Sequence, residues 1–395
     1  MNDKRWRWLL VVVVLVIIAA AIGRLTAPDD SRATLGSNPT SSTSSTEKSV
    51  STGARATTTT TTRPPIAVDK FFYGGTHEQY SPAESYLDSN ARQRAQDVLR
   101  RAAPVQNQHI FGWGAFNPEP SPGEYDWSSL DSRIELMART GGIPVLTLCC
   151  APDWMKGGRP GQTDFNRLAE APLPDHYDAF ASLSAQVAVR YQNVKYFLVW
   201  NELKGFFNSS LNRWNYEAYT TLYNKVYDAV KKVRPDANIG GPYVVLDSWG
   251  AAPPEAVSNL KGPWGTADQR ALDVVTYWLK NKHGAQFIAV DGYIGPRDNR
   301  PVQDATGKFE AMTTWVRQQT DLPIWWAELH PTPDSATTDD ARAASVIQAL
   351  DGVDRAGGNV VLLWDPNNFL YSDLRNRGGE PLATARALEA WTAPR

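Results

Sequence analysis

The sequence predicts an α/β fold, a (β/α)8 TIM barrel, and three observations carry that expectation. From Val68 onward apolar, strand-like runs alternate strictly with amphipathic stretches, eight of each. Such alternation implies a parallel sheet, and eight units close it into a barrel. Two of the runs carry an acid at or near their ends: Glu202 closes Phe197-Leu198-Val199-Trp200-Asn201-Glu202, and Glu328 stands in Pro323-Ile324-Trp325-Trp326-Ala327-Glu328-Leu329-His330. No glycine-rich phosphate fingerprint follows the first strand, which counts against a doubly wound open sheet.

In chain order, strands are expected at residues 70–75, 109–116, 143–150, 194–202, 238–245, 287–294, 323–330 and 359–365. Each is a short apolar or aromatic run bounded by turn chemistry. Helices are expected at 91–102, 128–140, 175–191, 216–233, 267–282, 305–319, 338–356 and 382–391. Gly141-Gly142 closes the second helix and delivers the chain to strand three, as a helix C-cap does. Arg234-Pro235-Asp236 and Ala356-Gly357-Gly358 do the same before strands five and eight. Loops after the strands are longer and more aromatic, notably 116–127 and 151–174, and barrel sites are built on that face.

Three domains follow: residues 1–26, 27–65 and 66–395. Residues 6–23 are almost continuously apolar and follow Lys4 and Arg5. At ~1.5 Å per residue such a segment spans roughly 27 Å, enough for a bilayer core. The preceding positive charge places the N-terminus inside and the remainder outside. Ala19-Ala20-Ala21 also suits signal-peptide cleavage, so the expectation is a single-pass cell-membrane protein with its head outside, or a secreted one after cleavage. Residues 27–65 are Ser, Thr, Pro and Gly with few large apolar side chains, and read as a disordered stalk.

A net charge of −2 gives no electrostatic footprint for nucleic acid. Fifteen Trp and fifteen Tyr provide flat apolar faces suited to a core and to sugar rings. The two cysteines, Cys149 and Cys150, fall in a predicted strand where neighbours face opposite ways, so a structural role without a disulfide is expected. No metal-ligand spacing occurs, and nothing calls for a metal or organic cofactor.

A carboxylate ending a buried strand is costly unless paired or solvated. Either Glu202 or Glu328 alone could cap a helix or pair with an arginine. Two, at the mouth ends of strands four and seven, instead suggest a flanked substrate. Paired carboxylates about 5–5.5 Å apart define a retaining glycosidase. Asn201 and Glu202 reach one pocket only if the strand ends or bulges between them.

The chain resembles glycoside hydrolases of clan A, most closely family 39, across nearly all of residues 68–395. Asn201-Glu202 and Glu328 carry the resemblance, as do Pro120-Ser121-Pro122-Gly123-Glu124-Tyr125-Asp126-Trp127, Gly142-Ile143-Pro144-Val145-Leu146-Thr147-Leu148 and Ala151-Pro152-Asp153-Trp154. The resemblance implies that Glu202 is the acid/base and Glu328 the nucleophile. It implies further that Asn201 contacts the 2-hydroxyl, that Tyr293 holds the nucleophile, and that Trp364 is a floor for the sugar. Three departures stand out: Leu203-Lys204 follows Glu202 in place of Pro-Asn, strand two lacks an Arg, and Asp291 stands where His is common.

Trp200 and Trp326 are expected to point inward as core, and Trp325 to face the outer helices. For Trp113, Phe116 and Trp154, substrate contact and loop packing both fit. His330 lies on the face of Glu328 and reads as structural. The functional expectation is double-displacement hydrolysis of an extracellular or cell-envelope poly- or oligosaccharide. Its alternatives are an inactive carbohydrate-binding barrel and a surface scaffold.

Overall fold

The computed structural model describes residues 66–67, 70–333 and 335–391. The anchor expected at 6–23 and the stalk expected at 27–65 lie outside the described residues, among which no helix is long and apolar enough to cross a membrane.

Eight parallel strands close a barrel: β1 (Phe72–Thr76), β2 (Val105–His109), β3 (Ile143–Leu148), β4 (Tyr196–Val199), β5 (Asn238–Val245), β6 (Phe287–Tyr293), β7 (Ile324–His330) and β8 (Val360–Trp364). β1 pairs with β8 from Phe72↔Val360 to Thr76↔Trp364, and on its other side with β2. The helices are α1 (Ser89–Ala102), α2 (Ser128–Arg139), α3 (Tyr177–Arg190), α4 (Tyr216–Val233), α5 (Gln269–Asn281), α6 (Gly307–Gln319), α7 (Asp339–Arg355) and α8 (Ala383–Ala390).

α1 buries Ala91, Ala95, Val98, Leu99 and Ala102, a stripe at helical spacing, and starts where Asp88 accepts from the Ala91 N–H at 2.8 Å. Asn215 caps α4 and Thr338 caps α7 in the same way. At Gly74 any Cβ would collide with the Val105 carbonyl, so only glycine lets β1 and β2 approach there.

Two cores result. Between strands and helices lies one layer that includes Leu99, Met137, Phe180, Trp278 and Trp326. Within the barrel, Val105, Val145, Leu198, Phe287, Trp325, Ala327, Val360 and Leu362 pack together. Above this apolar floor Asn107 bridges Thr76 (3.1 Å) and Thr147 (3.0 Å).

Strand two corrects the sequence expectation: it runs Val105–His109, not 109–116. Its polar residues find partners inside the fold, so the run lacks the apolar signature of its neighbours. β7 also departs from simple alternation. Its register slips between Trp326 and Leu329 against both neighbours, so Ala327 and Glu328 together oppose one residue, Asp291 on β6 and Leu362 on β8. Consequently Trp325 faces into the barrel, stacked 4.1 Å from Phe287, while Trp326 faces α6 and donates to Thr313 at 3.0 Å. The expected orientations of these two tryptophans are therefore exchanged. Trp200 likewise turns outward onto Phe180 of α3, because β4 has already ended.

Cys149 and Cys150 are joined by a disulfide, contrary to expectation. β3 stops at Leu148, so strand alternation no longer separates them, and a cis peptide brings their Cα atoms to 2.9 Å. Two small antiparallel sheets decorate the C-terminal mouth. Phe207–Asn208 pairs with Arg213–Trp214 after β4; Ser248–Trp249, Lys261–Gly262 and Gly265–Ala267 combine after β5.

Candidate active site

β4 ends at Val199, and the chain leaves it through left-handed residues: Trp200 (φ 69°), Glu202 (φ 49°) and Leu203 (φ 48°). Each such conformation costs a non-glycine residue of the order of 1–2 kcal/mol. The turn satisfies the condition set by adjacency, since side chains no longer alternate. Glu202 reaches the mouth, while Asn201 is fully buried with neither amide atom hydrogen-bonded.

Glu328 comes from the β7 bulge and is almost fully buried. The Tyr243 hydroxyl donates to its Oε1 at 2.6 Å, and His109 Nε2 lies 3.0 Å from the same oxygen. Tyr243 sits at a second bulge, the extra residue between Pro242 and Val244 opposite Ala289–Val290, with φ 57°. Burial pushes the Glu328 carboxyl upward, but the neighbouring His109, the charge of Lys204 and the Tyr243 hydroxyl outweigh it. Its pKa therefore lies below the ordinary value, as an anionic nucleophile requires.

Tyr293 was expected to hold the nucleophile. It instead donates to Glu202 Oε1 at 2.8 Å, and Tyr243 takes the expected role. The β5 bulge delivers Tyr243 to Glu328, an irregularity that residue spacing does not reveal. Tyr293 also stacks on His330 at 4.5 Å, and burial lowers the His330 pKa to about 4. Lys204 forms an ion pair with the other oxygen of Glu202 and lies 5.2 Å over the Trp113 ring. Burial lowers the Lys204 ammonium from the usual lysine value, with Glu328 and Asp291 pulling it back up.

Trp364, ending β8, meets Trp113 edge-on at 6.2 Å, and Trp113 leans on His109 at 4.4 Å. These rings wall one side of the carboxylates. Trp154 stands apart: its indole donates to the Glu119 carbonyl at 2.9 Å and its ring meets His176. No contact among the described residues ties it to Glu202 or Glu328. The structure thus gathers Glu202, Glu328, Tyr293, Trp364 and Trp113, and leaves Trp154 in loop packing.

Four participants were missed as site residues: His109, Lys204, Tyr243 and Asp291. His109 was assigned to the start of strand two, whereas it ends that strand and faces the mouth. Lys204 and Asp291 were visible only as departures from a family pattern. Glu202, Asp291 and Glu328 each offer a carboxylate oxygen within 4.8 Å of the others, a donor set open to a divalent cation. Lys204 already places a positive charge against Glu202 there.

Below the mouth, His77 is buried beside Gln106 Oε1 at 3.0 Å. Burial lowers its pKa to about 4; the Gln106 bond opposes that shift and the Arg133 charge adds to it. The unfolded chain therefore binds the extra proton between pH 6.5 and 4, and His77's contribution, full above 6.5, is lost as pH falls through that window. His77→Gln should abolish this part of the acid sensitivity, on the order of 3 kcal/mol at most. Urea unfolding at pH 7 and pH 4 checks it; a stability difference between wild type and variant that does not change with pH would refute it.

The barrel of parallel strands, with a carboxylate after β4 and another on β7, is similar in fold to solved glycosidases. The particular resemblance is to clan A, with a family 39 enzyme among the structural neighbours. That enzyme, from Xanthomonas axonopodis pv. citri, has TM-score 0.53 and 16% identity, over 80% of this chain and 65% of its own. A solved beta-glycosidase gives TM-score 0.56 at 14% identity, covering 82% of this chain and 98% of its own. In sequence, a beta-xylosidase of Caldicellulosiruptor saccharolyticus is 28% identical over 135 residues. That match takes in 32% of this chain and 26% of the relative, so it spans about a quarter of the relative's length. No protein-family model matches the chain.

Proposed function

We propose that this chain is a retaining β-glycosidase acting on an extracellular or cell-envelope poly- or oligosaccharide. The observation that carries the reading is the pairing of Glu202 and Glu328, with carboxylate oxygens within 4.8 Å and Glu328 held anionic by His109 and Tyr243. A retaining pair stands close, its carboxyl groups ~5–5.5 Å apart, so that one of them can attack directly. β-Linkage follows from the relatives, whose names are beta-glycosidase and beta-xylosidase.

Glu328 attacks the anomeric carbon while Glu202 protonates the departing oxygen, leaving a glycosyl ester on Glu328. Water, deprotonated by Glu202, then attacks that carbon from the other side and releases Glu328. Two inversions give net retention. Proton NMR of the first-formed sugar, taken before mutarotation, should show the substrate's own anomeric configuration. The opposite anomer would rule out Glu328 as nucleophile.

The head is proposed to face outward on the N-terminal anchor, from Lys4 and Arg5 before the apolar segment. Protease added to intact cells should release it by cutting within residues 27–65. Protection until lysis would reverse the orientation.

A further inference from the structure

Asp291 is an unusual neighbour for two catalytic carboxylates. It lies on β6, opposite the β7 bulge that projects Glu328, and follows Phe287 and Ala289 up the inward face. It is fully buried, and its carboxylate comes within 4.8 Å of those of both Glu202 and Glu328. One oxygen accepts from the Gly292 N–H at 2.6 Å, while Oδ2 has no hydrogen-bond partner. A buried polar atom without a partner costs ~1–3 kcal/mol, a cost relieved when a ligand supplies the missing bond.

We propose that Asp291 reads one hydroxyl of the sugar seated at Glu328, binding it through Oδ2 and selecting a neutral hydroxyl over an acidic substituent at that position. The inference rests on the glycosidase reading for its site and deepens it by naming the substrate class, a neutral glycoside. Burial, with the charge of Glu328 beside it, holds the Asp291 carboxyl well above the usual range. A sugar carboxylate there would meet Asp291 beside two further carboxyl groups. The nearby Lys204 ammonium is already paired with Glu202. Lys308 and Asp247 lie further along the same electrostatic cluster and act on Asp291 only through charge.

The test pairs substrate deletions with residue deletions. Aryl β-glycosides lacking one ring hydroxyl at a time are assayed for kcat/KM, and the matching monosaccharides are titrated by calorimetry. With wild type, one deletion should cost roughly 10–100-fold, the range of one good hydrogen bond to a buried partner. In Asp291→Ala that same deletion should cost less than about threefold. Asp291→Asn retains both a hydrogen-bonding group and the Gly292 contact, and should keep the wild-type pattern across the panel. Identical patterns in wild type and Asp291→Ala, in an enzyme that turns over, would overturn the proposal and leave the glycosidase reading standing. Coupled binding without turnover would overturn that reading and uphold Asp291. Tighter binding of the uronic acid than of the parent sugar would overturn the selection of neutral hydroxyls.

Discussion

Glu328→Gln should lose roughly 10⁴-fold in turnover while remaining folded, because an amide cannot form the glycosyl ester. The fold tolerates the change for a specific reason. Glutamine keeps an oxygen to accept from Tyr243, now 2.6 Å from Oε1, and removes a charge from a buried cluster. Its neighbours register the loss: Asp291, held up partly by the Glu328 charge, moves back toward the ordinary carboxyl range. Initial rates on an activated aryl glycoside, with circular dichroism as the check on folding, decide the point. Turnover within tenfold of wild type would remove Glu328 from the chemistry.

Glu202→Gln should separate substrates by their leaving groups. A poor leaving group needs the proton in the first step, so its kcat/KM should fall by roughly 10²–10⁴-fold. A dinitrophenolate departs unaided, and its kcat/KM should stay within about tenfold. Deglycosylation also needs Glu202, as base, so the activated substrate should show a burst of one phenolate per enzyme before a slow steady state. Tyr293 and Lys204 both bind this carboxylate and should position the amide similarly. Equal losses on both substrate types, with no burst, would mean that Glu202 is not the acid/base.

The parts legible in the sequence are those written as local pattern. α4 has the expected bounds, 216–233, because its apolar period is undisturbed, and β5 keeps its expected ends, 238–245, around the bulge at Tyr243. Glu202 and Glu328 stood out because an acid interrupts an apolar run, and burial makes that expensive. What escaped depends on contacts between distant strands. Strand two was misplaced because Asn107 is balanced by Thr76 and Thr147, which only barrel closure brings near. Tyr243 and the swapped faces of Trp325 and Trp326 depend on bulges, and an inserted residue leaves no periodic trace. The Cys149–Cys150 bond arose where a strand was assumed to continue and does not.

The bulge in β7 also fixes the depth of the reactive plane. Ala327 already fills the apolar layer beside Trp325, and Glu328 is the additional residue. Deleting Ala327 would leave the acid pointing inward, yet one storey lower. It would descend by up to one ~3.3 Å strand rise into a layer of Val360 and Leu362. There it would be out of step with Tyr243 and His109, which reach it from above that layer. Elevation along the barrel axis, as much as side-chain identity, is thus a coordinate on which substitution and insertion can act.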